Sequence, residues 1–400
     1  MTIANGYLRD DGRKGIRNVV PVIYLVECAH HVAREAVHRA SDDQVHLLGF
    51  PGCYPNEYAH RMLTALGTHP NVGGVVLVSL GCEGFDRETL TAAIASSGRP
   101  VETVVIQQAG GTRTSIEATC AAIARVRATM NERERRTVVR VSDLTVGTVC
   151  GGSDGTSGIA ANPAVGRAFD RLVDAGAICI FEETGEMIGC EAPLSARGGT
   201  PEVSEAIWRS IRSAAEYYRA MGFGSFAPGN AEGGLSTQEE KSAGAYVKSG
   251  SRPIRGVIRP TELPREPGLY LLDIVPDSPP KFGFPNIVDN TEIGELMSCG
   301  AHLTLFTTGR GSVVGSAISP VLKITGNPRT YRRMEEDMDV NAGRILDGTV
   351  SIDAVGDEIY SLVLKMASGW ASKSERLGHR EFILTYKSAD AVGGLCGTGR

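Results

Sequence analysis

Short apolar runs alternate along this chain with stretches whose apolar residues recur every three or four positions. In the first third, Val19–Val26, Val45–Phe50, Gly74–Leu80 and Val101–Gln107 have strand length and a β-branched content suited to burial. Ala29–Ala40, Asn56–Leu66 and Asp86–Ser97 lie between them with helical spacing, and Thr114–Asn131 predicts one more helix. Strand–helix–strand alternation implies a mainly parallel sheet covered by helices. The mixed-sign cluster Asn131–Arg136 ends this unit, so the first domain is expected over residues 1–136.

A second α/β domain is expected over residues 137–400. Leu144–Cys150 and Ala177–Glu182 read as strands around a helix at Pro163–Asp174, with a further helix at Ala206–Ala220. Gly222–Leu235 follows, with five glycines in fourteen residues. A loop that long in a compact domain is usually functional or disordered, and a lid is one reading of it. Ile254–Ile258, Leu269–Val275 and His302–Thr307 predict more strands, and Asp353–Ala371 a helix. The expected fold class is α/β: two parallel-sheet domains with helices on both faces.

Composition narrows the function classes. Of 400 residues, 42% are hydrophobic and 22% charged, enough for a large core. The formal net charge is −5 and no long Lys/Arg run exists, so neither nucleic acid nor an anionic membrane is an expected partner. Charges fall where a signal peptide would be apolar, and Val19–Val26 is too short to span a bilayer. A cytoplasmic location is therefore expected, and nine cysteines then read as thiols or metal ligands rather than disulfides.

Ligands in open α/β sheets gather beyond the carboxyl ends of the strands. Cys53, Cys82 and Cys150 fall at such ends, each beside glycine. Three thiolates can hold an iron–sulfur cluster with one open iron, or contribute to a mononuclear site. The alternative on the residues alone is three small thiols buried in tight turns. Cys28, Cys120, Cys179 and Cys299 sit in apolar or helical patterns and are expected in the core; Cys190 is a weaker candidate, and Cys396 lies near the chain end. Glycine turns at Arg13–Asn18, Gly110–Arg113, Gly151–Ser157 and Thr307–Ser312 offer backbone N–H groups and arginines to an anion. The carboxylates Glu182, Glu183 and Glu186 follow a strand, where they either bind metal, serve as a base or form a charged loop. His30, His31 and His302 read as structural. No dinucleotide fingerprint and no Walker A loop is present.

These motifs together resemble the altronate and galactarate dehydratase family. The resemblance rests on Gly6-Tyr-Leu-Arg9, Gly15-x-Arg-Asn18, Leu80-Gly-Cys-Glu83, Gly110-Gly-Thr-Arg113, Cys150-Gly-Gly-Ser-Asp-Gly155, Ala161-Asn-Pro-Ala164, Pro228-Gly-Asn230, Gly233-Gly-Leu-Ser-Thr237 and Phe306-Thr-Thr-Gly-Arg-Gly311, and runs from about Gly6 to Gly348. Four stretches depart from the sugar-acid dehydratases: Tyr24–His31, Gly49–Asn56, Phe181–Glu191 and Ser372–Lys387. They resemble the family's sulfolactate sulfo-lyase branch, in its large subunit. The resemblance implies a lyase that takes a proton from C2 of a small anionic 2-hydroxy acid and expels a group from C3. Sulfite from (2R)-3-sulfolactate is the expected leaving group, with water from a sugar acid as the alternative. A non-catalytic binding subunit is a third reading.

The resemblance also implies iron, with Cys53, Cys82 and Cys150 as ligands of an iron–sulfur cluster, or a mononuclear Fe(II) or Mn(II) site instead. It implies Glu183 or Glu186 as base with Lys241 assisting, and Lys14, Arg17, Asn18, Arg113, Asp154 and Arg310 as substrate-binding residues. Met1 lies five residues before Gly6, so the family's small β-rich domain is expected as a separate subunit of a hetero-oligomer.

Overall fold

The computed structural model describes residues 2–222, 224–275 and 288–387. Two all-parallel sheets carry the fold. The first is ordered Val45–Gly49, Val20–Tyr24, Val75–Ser79, Val101–Val105. The second has seven strands, ordered Ile254–Ile258, Gly268–Leu272, Ile178–Phe181, Thr145–Cys150, Leu303–Thr308, Val321–Thr325, Val340–Asn341. This is a two-domain α/β architecture.

The first sheet shows why its strands read as continuous apolar runs. Odd-numbered Ile23, Val75 and Leu77 enter one core; even-numbered Val20, Val22, Val76 and Val78 enter another. Both faces are covered, as parallel sheets require. The first of these cores is shared by the domains: Ile23, Leu48 and Phe50 pack with Val149, Ile180 and Phe306 of the second sheet. Helices Glu57–Gly67 and Asp289–Ser298 meet within this shared region.

The expected elements shift mostly at their ends. Asn56 and Asp86 stand just outside their helices, where their side chains accept the N–H groups of Ala59 and Thr89 as caps. Val101–Val105 is shorter than expected because Ile106–Ala109 turns helical before Gly110 at φ 96°. The Gly-rich stretch contains the short helix Pro228–Glu232. Thr2–Leu8, Lys14–Gly15, Arg136–Arg140, Val321–Thr325 and Val340–Asn341 escape the sequence pattern. Thr2–Leu8 pairs antiparallel with Arg136–Arg140 and with Lys14–Gly15. Its Ala4, Asn5 and Gly6 have poor strand propensity. Val321–Thr325 is buried throughout, but Lys323 interrupts its apolar run. Cys179 and Cys299 are buried as expected, whereas Cys28 is exposed on the first turn of its helix, outside the core. Cys396 lies outside the described residues. No helix among the described residues is long and apolar enough to cross a membrane.

Candidate active site

The carboxyl ends of the two sheets lie at one end of the molecule. Tyr58, on the helix that follows Val45–Gly49, donates its hydroxyl to Glu295 at 2.6 Å. Glu295 belongs to Asp289–Ser298, whose first residue lies against the turn after Thr145–Cys150; a Cβ at Gly151 would overlap the Asp289 carboxylate. The C-terminal segment joins the two ends. The Tyr386 hydroxyl donates to the Tyr54 carbonyl at 2.8 Å, and the neighbouring Lys387 pairs with Glu295 at 2.8 Å.

A buried acid–base cluster sits at the carboxyl end of the second sheet. The Cys150 thiol is 3.0 Å from Glu186 Oε2 and 3.2 Å from Ser153 Oγ. Lys241 Nζ pairs with the other Glu186 oxygen at 2.5 Å and donates to the Ser225 carbonyl at 2.6 Å. Glu183 accepts the Cys150 backbone N–H and pairs with Lys248, which is fully buried. Its φ of 88° is in the left-handed region, a conformation costing on the order of 1–3 kcal/mol in a non-glycine residue. These two partners hold it there. Gly185 is needed nearby because the Tyr218 ring occupies the place of a Cβ.

Charge is out of balance in this cluster. Glu182, Glu183, Glu186, Asp289, Glu292 and Glu295 interact with one another, and Lys241, Lys248 and Lys387 are the cations that offset them among the described residues. Each lysine is matched to one carboxylate: Glu186, Glu183 and Glu295 respectively. Burial, and then the neighbouring Glu295 charge, push Glu182 well above the usual carboxylate range. Burial and Glu182 do the same to Glu292, while burial and Glu186 push Asp289 up to about 6. Burial and Glu186 push the Cys150 thiol up to about 12, so it is a thiol at neutral pH. Burial alone would lower Lys241; Glu186 and Cys150 more than offset this and hold it above the ordinary lysine value. Lysine, thiol and carboxyl groups are thus in contact around Glu186.

The first sheet's carboxyl end is different. Cys53 and Cys82 are exposed on neighbouring loops, joined where the Gly84 N–H donates to the Cys53 carbonyl at 2.8 Å. Cys28 completes this face. It follows the central strand Val20–Tyr24, between the strands that precede Cys53 and Cys82, and the Glu27 N–H donates to the Pro51 carbonyl at 3.2 Å. Its helical pattern pointed to the core; its position directly after a strand was the signal for the site. Cys150, the third thiol of the sequence expectation, is instead engaged with carboxylates.

The expected anion-binding residues divide between the two ends of the sheets. Arg310 and Arg113 are on the carboxyl side. Arg310 follows Leu303–Thr308 and bonds Glu232 at 2.8 Å, fastening the Gly-rich segment to the rim. Arg113 is exposed at the start of helix Thr112–Glu132. Lys14, Arg17 and Asn18 are at the amino ends, away from Cys150. Lys14 pairs with Asp143 at 2.7 Å, and its carbonyl is 2.7 Å from His302 Nε2. Arg17 is held by Glu375 at 2.7 Å and by the Met366 and Trp370 carbonyls; Asn18 accepts from Arg9 at 2.8 Å. Asp154 is held within its own turn. One oxygen accepts from Thr156 and Ser157 and the other from Asn327, so its carboxylate shapes the turn after Cys150. Glu182, Lys248, Asp289, Glu292 and Lys387 join the cluster without having been singled out individually as acid, base or ligand.

Comparison with known proteins places this geometry. Residues 141–389 match the model of the D-galactarate/altronate dehydratase C-terminal domain, and residues 6–131 that of the D-galactarate dehydratase/altronate hydrolase second domain. The chain is 34% identical to the (2R)-sulfolactate sulfo-lyase subunit beta of Chromohalobacter salexigens, over 96% of this chain and 98% of that one. It is 29% identical to the altronate dehydratase of Bacillus subtilis and 28% identical to that of Escherichia coli, over 95% and 94% of this chain and 76% of each relative. These matches, spanning both sheets and the shared core between them, make the chain an enzyme of the lyase/dehydratase type and a member of the D-galactarate/altronate dehydratase family.

Proposed function

We propose that this chain is the large subunit of a lyase that eliminates sulfite from (2R)-3-sulfolactate, giving pyruvate. The observation that carries the reading is the end-to-end likeness to a sulfo-lyase beta subunit, at 34% identity with 98% of that subunit covered. The segment that joins the two sheet ends, through Tyr386 and Lys387, lies in one of the stretches resembling that branch. The partner is a small β-rich subunit, and the complex works in the cytoplasm.

The reaction needs a base for the weakly acidic C2 proton and positive charge for the carboxylate beside it. Glu186 is the base in this reading, aimed by Cys150 and Lys241. Lys241 offsets the charge that develops when C2 loses its proton. The C2–H electron pair forms the C2–C3 double bond while the C3–S bond breaks. Sulfite leaves with that bond's electrons, and the enol of pyruvate tautomerises to the ketone. Arg310 and Arg113 meet the incoming anion at the rim. Glu183, held by Lys248, supports the Cys150 backbone.

Family membership implies iron. Soft thiolates suit it, and the helix start of Cys28 with the loops of Cys53 and Cys82 presents three exposed sulfur donors on one sheet end. We assign the iron group to these three in place of the set with Cys150. When bound, it supplies Lewis acidity toward the substrate's oxygens.

The test is anaerobic co-expression with the small subunit, followed by assays of sulfite and pyruvate from sulfolactate. Iron, labile sulfide and the visible spectrum are recorded on the same sample. Release of both products supports the sulfo-lyase. Turnover of altronate or galactarate without sulfite transfers the protein to the dehydratases, the class of its 28–29% identical relatives. No metal and full activity in Cys82→Ser would leave a binding subunit.

A further inference from the structure

On the reading of Glu186 as base, we infer that residues 225–235 form a lid over the Cys150, Glu186 and Lys241 side chains, and that Asn230 is the positioning residue that latches it. Two motifs without a task in the reaction above, Pro228-Gly-Asn230 and Gly233-Gly-Leu-Ser-Thr237, begin in this segment. The group beneath it is nearly enclosed. Cys150 is buried, and the Lys241 and Glu186 side chains are 8% and 16% exposed. Substrate reaches Glu186 only after part of this surround moves.

The segment touches the group and its supporting turn at three places. The Ser225 carbonyl accepts from Lys241 Nζ at 2.6 Å. Asn230 Nδ2 donates to the Ser153 carbonyl at 3.1 Å, and the Ser153 hydroxyl is 3.2 Å from the Cys150 sulfur. The Gly155 N–H donates to the Gly233 carbonyl at 3.1 Å. Gly233 comes so close to this turn that a Cβ on it would lie 2.7 Å from that of Asp154. Apolar packing contributes little. Only Asn230 and Leu235 of the segment are buried, and none of its residues joins the apolar cores of the described residues. A strap held by hydrogen bonds opens locally at small cost. Asn230 is its buried fastener. Its Oδ1 accepts the Ala227 N–H at 2.8 Å while its Nδ2 reaches Ser153, so one amide ties the short helix Pro228–Glu232 to the Cys150 turn. The Arg310–Glu232 pair at the outer edge is exposed to solvent and holds less. Closure shuts water away from Glu186 once substrate is in place.

Hydrogen exchange on the full, substrate-free chain tests the latch without turnover. Asn230→Ala is expected to speed exchange about tenfold at Gly155 and across residues 225–235, as loss of a buried hydrogen bond should, with the two sheets unchanged. Exchange within about twofold of wild type there, or faster exchange throughout the sheets, would overturn the latch. Asn230→Asp supplies a pH readout. It keeps the acceptor for the Ala227 N–H; protonated, it donates to the Ser153 carbonyl, and ionised, it repels that carbonyl. With the small subunit present, its kcat on sulfolactate relative to wild type is expected near one at about pH 5 and at least about tenfold lower at about pH 8. A ratio that stays flat with pH overturns the positioning role. A wild type that does not turn sulfolactate over refutes the sulfo-lyase reading instead, and exchange still decides the lid. Should Asn230→Ala fail to fold, Gly233→Ala decides. Its φ of −78° admits alanine and the new methyl pushes against Asp154, so unchanged exchange across residues 225–235 overturns the lid.

Discussion

The two sheet ends that meet at one end of this molecule share an all-parallel arrangement and have opposite chemistry. Both are carboxyl ends of parallel strands, where loops are free to carry function. The first presents to solvent Cys28, on the first turn of a helix, and Cys53 and Cys82, on loops linked by a backbone hydrogen bond. The second buries Cys150 with six carboxylates and three lysines. Burial makes the difference. The first three thiols are open to solvent, whereas burial and Glu186 push the metal-free Cys150 thiol up to about 12. One end thus offers thiols to solvent, and the other holds a thiol among carboxylates and lysines.

The sharpest break in this comparison is to exchange thiols across it. Cys28→Ser and Cys82→Ser are expected to lose the iron and the chromophore, with turnover falling about a thousandfold or more as several kcal/mol of charge stabilisation disappear. Cys150→Ser is expected to keep its iron. Metal analysis of the three purified variants checks this; iron lost from Cys150→Ser with Cys28→Ser intact would restore Cys150 to the ligand set.

On the buried side, Glu186→Gln is expected to reduce kcat by about 10²–10⁴ with iron content unchanged, as removal of a general base should. Steady-state kinetics beside iron analysis separates this from loss of the metal. Lys248→Met acts on stability instead. It strands Glu183 in a fully buried site and is expected to cost about 3–5 kcal/mol, read by denaturant unfolding.

The cluster also sets a pH dependence that the exposed thiols do not. Asp289 is held at about 6, and Glu182 and Glu292 well above their ordinary value. Raised acid pKa values mean that the folded chain binds more protons than the unfolded chain. Their contribution is therefore fully present below about pH 4 and is lost as pH rises through 6 and beyond. Metal-free protein is expected to lose on the order of a few kcal/mol over that window from this cluster, measured as a falling melting temperature.

The sequence makes the two ends unequally legible. Period-two and period-3.6 patterning predicts the sheets because fully buried strands such as Val75–Ser79 read as apolar runs. Strand-end position alone locates Cys53, Cys82, Cys150 and the Glu182–Glu186 cluster. Cys28 was assigned to the core because it begins a helix whose buried face is Ala29, Val32, Ala33 and Ala36. The lysines were harder to read. Lys248 and Lys387 are far from Glu183 and Glu295 in the chain, and only tertiary packing pairs them. Arg17 misled for the related reason that an arginine beside glycine suits an anion and a carbonyl cluster equally well. Glu375 and the Ile16, Met366 and Trp370 carbonyls occupy it here.

The smallest effect tests whether the two ends act together. Tyr386 touches the thiol loop and its neighbour Lys387 the acid cluster, so the peptide between them is a short physical link. Tyr386→Phe removes one hydroxyl donor to the Tyr54 carbonyl and keeps the ring packed edge-on to Phe50 at 5.2 Å between centroids. The lost bond alone is worth about 0.5–1.5 kcal/mol of stability. If the ends are independent, Tyr386→Phe and Glu186→Gln are additive in log kcat/KM. A coupled pair departs from additivity by about 0.5 kcal/mol or more, which a double-mutant cycle resolves. We expect the departure, because the thiol loop is fixed to the second domain through this hydroxyl. Strict additivity, with iron content unchanged in Tyr386→Phe, would make the link a packing contact and the two ends separate devices.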